Sequence, residues 1–192
     1  MKSGFVAILG RPNVGKSTII NNIVNHRVSI VTEKSQTTRN NIIGIYNAPD
    51  CQIVFVDTPG IHKPLKQLGV EMNNMAYSAA HDVEVAILVV DASKPFGQGD
   101  QFIIDHLDIH NHPLIIVFNK IDLARLDKAQ ALKRQYLSIF PQATIIETVA
   151  KEKLAYDNVR LAVKDRAYQL LDIIAAVLVV GIGIDDDVGP VP

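Results

Sequence analysis

Apolar residues gather in short continuous runs at positions 5–9, 42–46, 53–56, 85–90, 114–118 and 144–146, and between most of these runs they recur at helical spacing. Runs this short read as strands. Strands alternating with helices predict an α/β fold with a six-stranded, mostly parallel sheet and helices on both faces. The runs at 42–46 and 53–56 break the alternation, because residues 47–52 are too few for a crossover helix. They predict an antiparallel hairpin, and with it one antiparallel strand at the sheet edge. Helices are predicted over 68–80, 98–110, 128–138 and 154–171.

The first run leads straight into Gly10-Arg11-Pro12-Asn13-Val14-Gly15-Lys16-Ser17, and Thr18-Ile19-Ile20-Asn21-Asn22-Ile23-Val24 continues at helical spacing. Strand, glycine loop and helix form the setting of the phosphate-binding motif G-x-x-x-x-G-K-[ST], and so of a P-loop NTPase. Gly10 and Gly15 allow backbone conformations that a Cβ would block, which brings successive N–H groups around the phosphates. The helix N-terminus then faces the anion with unpaired donors and partial positive charge. Lys16 is expected to reach the β- and γ-phosphates and the Ser17 hydroxyl to ligate Mg²⁺. Gly10, Asn13, Val14, Gly15, Lys16, Ser17 and Thr18 are therefore the predicted phosphate-side residues. A plain glycine turn with an exposed lysine is the competing reading, and the flanking strand and helix argue against it.

Leu114-Ile115-Ile116-Val117-Phe118 ends in Asn119-Lys120-Ile121-Asp122, which places these residues at the carboxyl edge of a buried strand, where open α/β sheets bind ligands. Asp122 can accept hydrogen bonds from guanine's ring N–H and exocyclic amine, and adenine offers neither donor there. A buried carboxylate left unpaired would make that selectivity large. Asn119 can bond the other edge of the purine, and the Lys120 stem can cover its face. Phosphate loop and base loop together imply GTP or GDP as the ligand.

Ile53-Val54-Phe55-Val56 leads into Asp57-Thr58-Pro59-Gly60, putting a carboxylate where it can hold Mg²⁺ through water and a Gly60 N–H where it can sense the γ-phosphate. Lys34-Ser35-Gln36-Thr37-Thr38-Arg39-Asn40 is polar and hydroxyl-rich, as a loop closing over Mg²⁺ and γ-phosphate would be, with Thr38 favoured over Thr37 as the metal ligand. Ser17, Thr38 and Asp57 are thus the expected metal set, and Lys16, Thr38 and Gly60 the groups expected to act on the γ-phosphate. Loops of this kind are ordered by the triphosphate and released on hydrolysis, the behaviour of a switch. Read in isolation, each would be an ordinary surface loop.

With these segments in view the chain resembles the Era GTPases, which assist assembly of the small ribosomal subunit. Four stretches carry the resemblance: residues 10–18, Gln36-Thr37-Thr38-Arg39, Asp57-Thr58-Pro59-Gly60-Ile61-His62-Lys63-Pro64, and Asn119-Lys120-Ile121-Asp122. The stretch from Asp57 to Gly69 is the most specific, because many GTPases share Asp-Thr-Pro-Gly and few continue with Ile-His-Lys-Pro. The resemblance covers about residues 1–150. It implies a Ras-like G domain, GTP hydrolysis, binding to 16S rRNA and the small subunit, and a bacterial cytoplasmic setting with peripheral contact at the inner membrane. It also implies a monomer.

Departures from the better-known pattern bear on mechanism. Ile61 stands where Ras-like proteins carry the glutamine that orients attacking water, a task isoleucine cannot perform. Asn13 matches the residue that helps hold K⁺ against the phosphates in related GTPases, so the resemblance implies K⁺ in place of an arginine finger. In the last nucleotide loop, Thr148-Val149-Ala150-Lys151 has valine where the family usually has serine. Guanine O6 is met there by backbone, so Ala150 can still serve, with somewhat weaker guanine binding and no loss of preference over adenine.

The G domain is placed at 1–171 and an apolar, then acidic, tail at 172–192. Era proteins continue with a KH domain whose Gly-x-x-Gly loop clamps RNA, and Gly181-Ile182-Gly183 has the wrong spacing for that clamp. No Lys or Arg follows Arg166, which suits the tail poorly to phosphate backbone, so the RNA role rests on the family and the chain reads as a truncated or diverged form. The run at 173–184 is too short to span a bilayer, which takes about 20 residues. It reads as a strand, the buried end of the last helix or a disordered tail, ahead of a partner- or membrane-touching role.

At 192 residues and 48% hydrophobic content the chain can bury a substantial core, and its formal net charge of −1 gives no overall nucleic-acid footprint. Cys51 is the only cysteine, which excludes an internal disulfide and fits a reducing compartment; its neighbours place it in the turn between two strands. His106, His110 and His112 lack supporting acidic or cysteine ligands and read as a solvated helix end. Arg39 reads equally as a phosphate or RNA contact and as a surface arginine. Three functions follow: a GTP-hydrolysing switch in small-subunit assembly, a guanine-nucleotide-dependent interaction module with little turnover, and another P-loop GTPase such as a tRNA-modifying type. Ile61-His62-Lys63-Pro64 and the lack of a recognisable further domain disfavour the third.

Overall fold

A computed structural model describes residues 2–24, 42–47, 51–64, 67–81, 83–106 and 113–149. In chain order the elements are β1 (Lys2–Leu9), α1 (Lys16–Val24), β2 (Ile42–Asn47), β3 (Cys51–Asp57), α2 (Gln67–His81), β4 (Val85–Asp91), α3 (Gln98–His106), β5 (Leu114–Asn119), a 3-10 turn (Ile121–Leu123), α4 (Leu126–Ile139) and β6 (Thr144–Thr148). They form a six-stranded sheet of order β2-β3-β1-β4-β5-β6. All neighbours are parallel except β2 and β3, which pair antiparallel from Ile42 opposite Asp57 to Asn47 opposite Gln52. The expected hairpin and its antiparallel edge strand are both present.

Every residue from Val85 to Val90 and from Leu114 to Asn119 is buried, as central parallel strands covered on two faces require. The two-residue period of the strands sorts their side chains between two cores. Ala7, Leu9, Ala86, Leu88, Val90, Ile116 and Phe118 pack on one face with Ala76 and Ala80 of α2, Ile103 of α3 and Leu132 and Tyr136 of α4. Val6, Ile8, Ile53, Phe55, Ile87, Val89, Ile115 and Val117 pack on the other face with Ile19, Ile20 and Ile23 of α1. Helices thus cover both faces.

Several boundaries move from expectation for physical reasons. β1 starts at Lys2 because ladder pairing of residues 2–4 with 51–53 needs backbone, not apolar side chains. Cys51 opens β3 and is not part of the preceding turn. α4 starts at Leu126, where Asp127 in its first turn suits the helix dipole. At α3, Asp100 Oδ2 accepts the Gly97 N–H at 2.9 Å, half of a capping box just before Gln98. Thr37, Thr38, Arg39, His110, His112, Ala150, Lys151, the predicted helix 154–171 and the tail 172–192 lie outside the described residues.

Candidate functional site

Because five of the six strands run parallel, their carboxyl ends share one edge of the sheet, where the register sets Ile8 beside Asp57 and Asp91 beside Asn119. The loop from Gly10 to Ser17 crosses that edge. Gly10 has φ +142, and a Cβ on it would lie 2.4 Å from the Val89 carbonyl oxygen. Gly15 has φ +108, and its Cβ would lie 2.2 Å from Asn119 Nδ2. The backbone of Val89 excludes a larger residue at Gly10, and at Gly15 the positive φ disfavours one while the Asn119 side chain fills the space a Cβ would take.

Lys16 opens α1 and is buried, with Nζ donating to the carbonyl oxygens of Gly10 and Arg11, each at 3.1 Å. Burial lowers its pKa to about 8, and the nearby Asp57 carboxylate opposes that shift. The ammonium is wrapped inside the loop and gains from any anion placed there. Ser17 Oγ donates to Asp57 Oδ2 at 2.7 Å, and Asp57 is fully buried. A hydroxyl and a carboxylate side by side are hard oxygen donors of the kind Mg²⁺ takes, so the residues present fit that ion. Thr58 Oγ1 donates to the Ile8 carbonyl at 2.7 Å, pinning the end of β3 to β1.

Asn119 and Lys120 brace the loop from Gly10 to Ser17. Asn119 Nδ2 donates to the Val14 carbonyl at 2.7 Å, and Lys120 Nζ donates to the Asn13 carbonyl at 2.8 Å. Asn13 and Lys120 are the only non-glycine residues with positive φ among the described residues, at 62° and 61°, and this bond joins them. Asp122 sits exposed in the 3-10 turn just beyond. Asn119, expected at the other edge of the purine, donates one amide N–H to the loop.

Some of the supporting residues escape sequence reading. Asp91 at the end of β4 takes Lys120 Nζ on Oδ2 at 2.6 Å and Ser93 Oγ on Oδ1 at 2.6 Å. Burial would raise its pKa, but the hydrogen bonds from Lys120 and Ser93 and the lysine charge outweigh it and hold the carboxyl below its usual range. Its signal was available: an acid directly after a buried run, like Asp57. Asp100, buried in α3, accepts from Arg11 Nη1 at 3.0 Å, the Gly97 N–H and Tyr136 OH at 3.0 Å. Burial, then the Asp100 charge, pushes the Tyr136 phenol far up. This network ties the phosphate loop to α3 and α4, and no spacing rule announces it. A cleft bordered by Arg11, Asn13, Asp91, Lys94 and Lys120 flanks the loop. Asn73 of α2, likewise unannounced, holds the backbone of His62 beyond Gly60.

Comparison with known proteins agrees with this geometry. Residues 5–120 match the family described as 50S ribosome-binding GTPase. The chain is 49% identical over 136 residues to the GTPase Era of Leuconostoc citreum (strain KM20), an alignment covering 70% of this chain and 45% of that protein. Among solved structures it is similar to Era in complex with MgGDPNP and nucleotides 1506–1542 of 16S ribosomal RNA, with TM-score 0.72 and 31% identity over 93% of this chain and 56% of that one. It is also similar to a point variant of Aquifex aeolicus Era bound to GDP·AlF4⁻, with TM-score 0.71, 30% identity and the same coverage. The G domain of FeoB from Methanococcus jannaschii, at 20% identity and TM-score 0.58 over 93% of this chain and 99% of that one, shares the fold. The chain spans about half the length of the Era relatives it matches.

Proposed function

The chain belongs to the family of 50S ribosome-binding GTPases, and from that premise we propose that it is an Era-type switch that binds GTP, hydrolyses it to GDP and phosphate, and acts in assembly of the small ribosomal subunit. The observation that carries this reading is the joint between the two loops: the Asn119 and Lys120 side chains hold the carbonyls of Val14 and Asn13. That joint supports a single ligand whose base meets Asp122 and whose phosphates meet the loop.

In this reading the loop N–H groups and Lys16 bind the phosphates. Mg²⁺, held by Ser17, Asp57 and Thr38, would supply charge stabilisation at the phosphate oxygens. Lys16 keeps its proton when an anion enters, and Gly60 offers its N–H to the terminal phosphate. Asn13 is assigned to K⁺. Ala150 is assigned to guanine O6 through its backbone, within a G domain of residues 1–171 and in a cytoplasmic protein with peripheral inner-membrane contact. No helix among the described residues is long and apolar enough to cross a membrane.

One observation favours a second reading, a nucleotide-dependent interaction module with little turnover. Ile61, at the position of the water-orienting glutamine, is fully buried in the core with Ala76 and Leu88. GTP turnover in Mg²⁺, compared between K⁺ and Na⁺ and between GTP and ATP, separates the two. GTP-specific hydrolysis that is faster in K⁺ is expected, and tight binding without turnover in either salt selects the module. The subunit is tested by co-sedimentation: the Era complex carries 16S rRNA and the family description names the 50S particle, and association with 30S particles is the expected result.

A further inference from the structure

Resting on the GTPase reading, we propose that Asn73 is a positioning residue that holds segment 60–62 against the phosphate loop, ready for its backbone to meet a terminal phosphate. Asn73 is 3% exposed in the middle of α2. Nothing about a helix interior favours asparagine there. Its Nδ2 donates to the His62 carbonyl at 2.8 Å and its Oδ1 accepts the His62 N–H at 3.3 Å. One side chain therefore satisfies both backbone groups of a residue eleven positions away, in a segment with no helix or strand of its own.

The same segment is fixed from the other side. The Ile61 N–H donates to the Gly10 carbonyl at 3.1 Å, and a Cβ on Gly60 would lie 2.7 Å from Pro12 Cα. His62 Nδ1 also lies 3.0 Å from the Gly60 carbonyl. Gly60 is thus held directly on the phosphate loop, with α2 behind it. A segment ordered before the ligand arrives loses less entropy when it meets the ligand, so Asn73 should favour the nucleotide that reaches this segment, the triphosphate, over the diphosphate. The phosphate loop and Lys16 read the diphosphate without it.

The test measures Mg²⁺-dependent affinities of the full chain for GDP and for a non-hydrolysable GTP analogue in wild type, Asn73→Ala and Asn73→Asp. The aspartate keeps an acceptor for the His62 N–H and loses the donor to its carbonyl. Ala80→Gly, which loosens the same helix two turns away, controls for stability alone. Both Asn73 variants are expected to lower the analogue-to-GDP affinity ratio about fivefold or more, the size of one hydrogen bond, with GDP affinity within twofold of wild type and the control ratio unmoved. A ratio that stays constant or rises, in variants of a chain whose wild type binds both nucleotides, overturns the role of Asn73 and leaves the GTPase reading standing. A wild type that binds neither nucleotide overturns both. Hydrogen exchange of the nucleotide-free wild type gives a readout independent of variant folding: a protected His62 amide is expected, and one exchanging at the rate of an open loop overturns the clamp.

Discussion

The loop from Gly10 to Ser17 is held on two sides by different means, and in the proposed reading one side serves the whole nucleotide and the other its last phosphate. On the β5 side, Asn119 and Lys120 reach over and bind carbonyls of the loop, with Asp91 holding the lysine in place. These braces join two strand ends of the central sheet, where neighbouring residues are buried. On the β3 side Ser17 Oγ meets Asp57 at the strand end, the Ile61 N–H donates to the Gly10 carbonyl, and beyond the buried Ile61 the half-buried His62 is held by the Asn73 side chain. Strand ends open with the core that packs them, whereas residues 58–64 form no helix or strand and take their order from contacts to other elements.

The largest expected effect breaks the site as a whole. Lys16→Ala removes the buried ammonium and is expected to weaken GDP and GTP-analogue binding about 100-fold or more, the worth of two charge-assisted hydrogen bonds, measured by calorimetric titration. Asn119→Ala removes one brace and leaves the Val14 carbonyl without it, at a cost of about 1–3 kcal/mol. It should weaken both nucleotides by a similar factor, roughly 5- to 150-fold. That equality sharpens the contrast, because loss of Asn73 on the β3 side should divide the two nucleotides.

Asp100→Ala strips the partner from a buried Tyr136 hydroxyl and from Arg11, and is expected to lower stability to urea by about 2–3 kcal/mol. Combined with Tyr136→Phe it should lose less than the sum of the two single changes, by about 0.5 kcal/mol or more. Additive losses would show that the network does not act as a unit. The smallest effect is in pH. The Lys16 pKa falls from its ordinary 10.5 to about 8 on folding, so the nucleotide-free chain carries a penalty below pH 8. The unfolded chain holds more protons between 8 and 10.5, and stability from this group rises across that window. A bound phosphate favours the protonated amine, so GDP affinity should begin to fall above pH 8, measured between 7 and 8.5, and Lys16→Arg should flatten the trend.

The fold was legible because its signals are local. Runs such as 85–90 and 114–118 are buried on both faces and so appear as unbroken apolar stretches. The hairpin followed from the short connection at 47–52 alone. The loops proposed to hold phosphate and base stood out because that chemistry fixes both residue type and spacing, and the two glycines lie against Val89 and Asn119. What stayed hidden depends on contacts distant in sequence. Asp100 meets Tyr136 across 36 positions and Arg11 across 89, and an acid in the first turn of a helix looks the same whether it caps the helix or anchors a network. Asn73 was hidden for the same reason, as one polar residue on a helix whose partner is a backbone. Asn119 shows a subtler gap: its identity was read from the base, and its amide nitrogen is held by the loop.

Calorimetric titration of GDP and ADP into the full chain with Mg²⁺ tests the central claim most directly, because it asks whether the braced loops read base and phosphate as one ligand. GDP bound at least about 100-fold more tightly than ADP is the predicted result, because guanine brings two donors to the charged acceptor Asp122 and adenine brings neither. Equal affinities would contradict the account, since a phosphate loop without a base reader would leave Asn119, Lys120 and Asp122 without the role assigned to them.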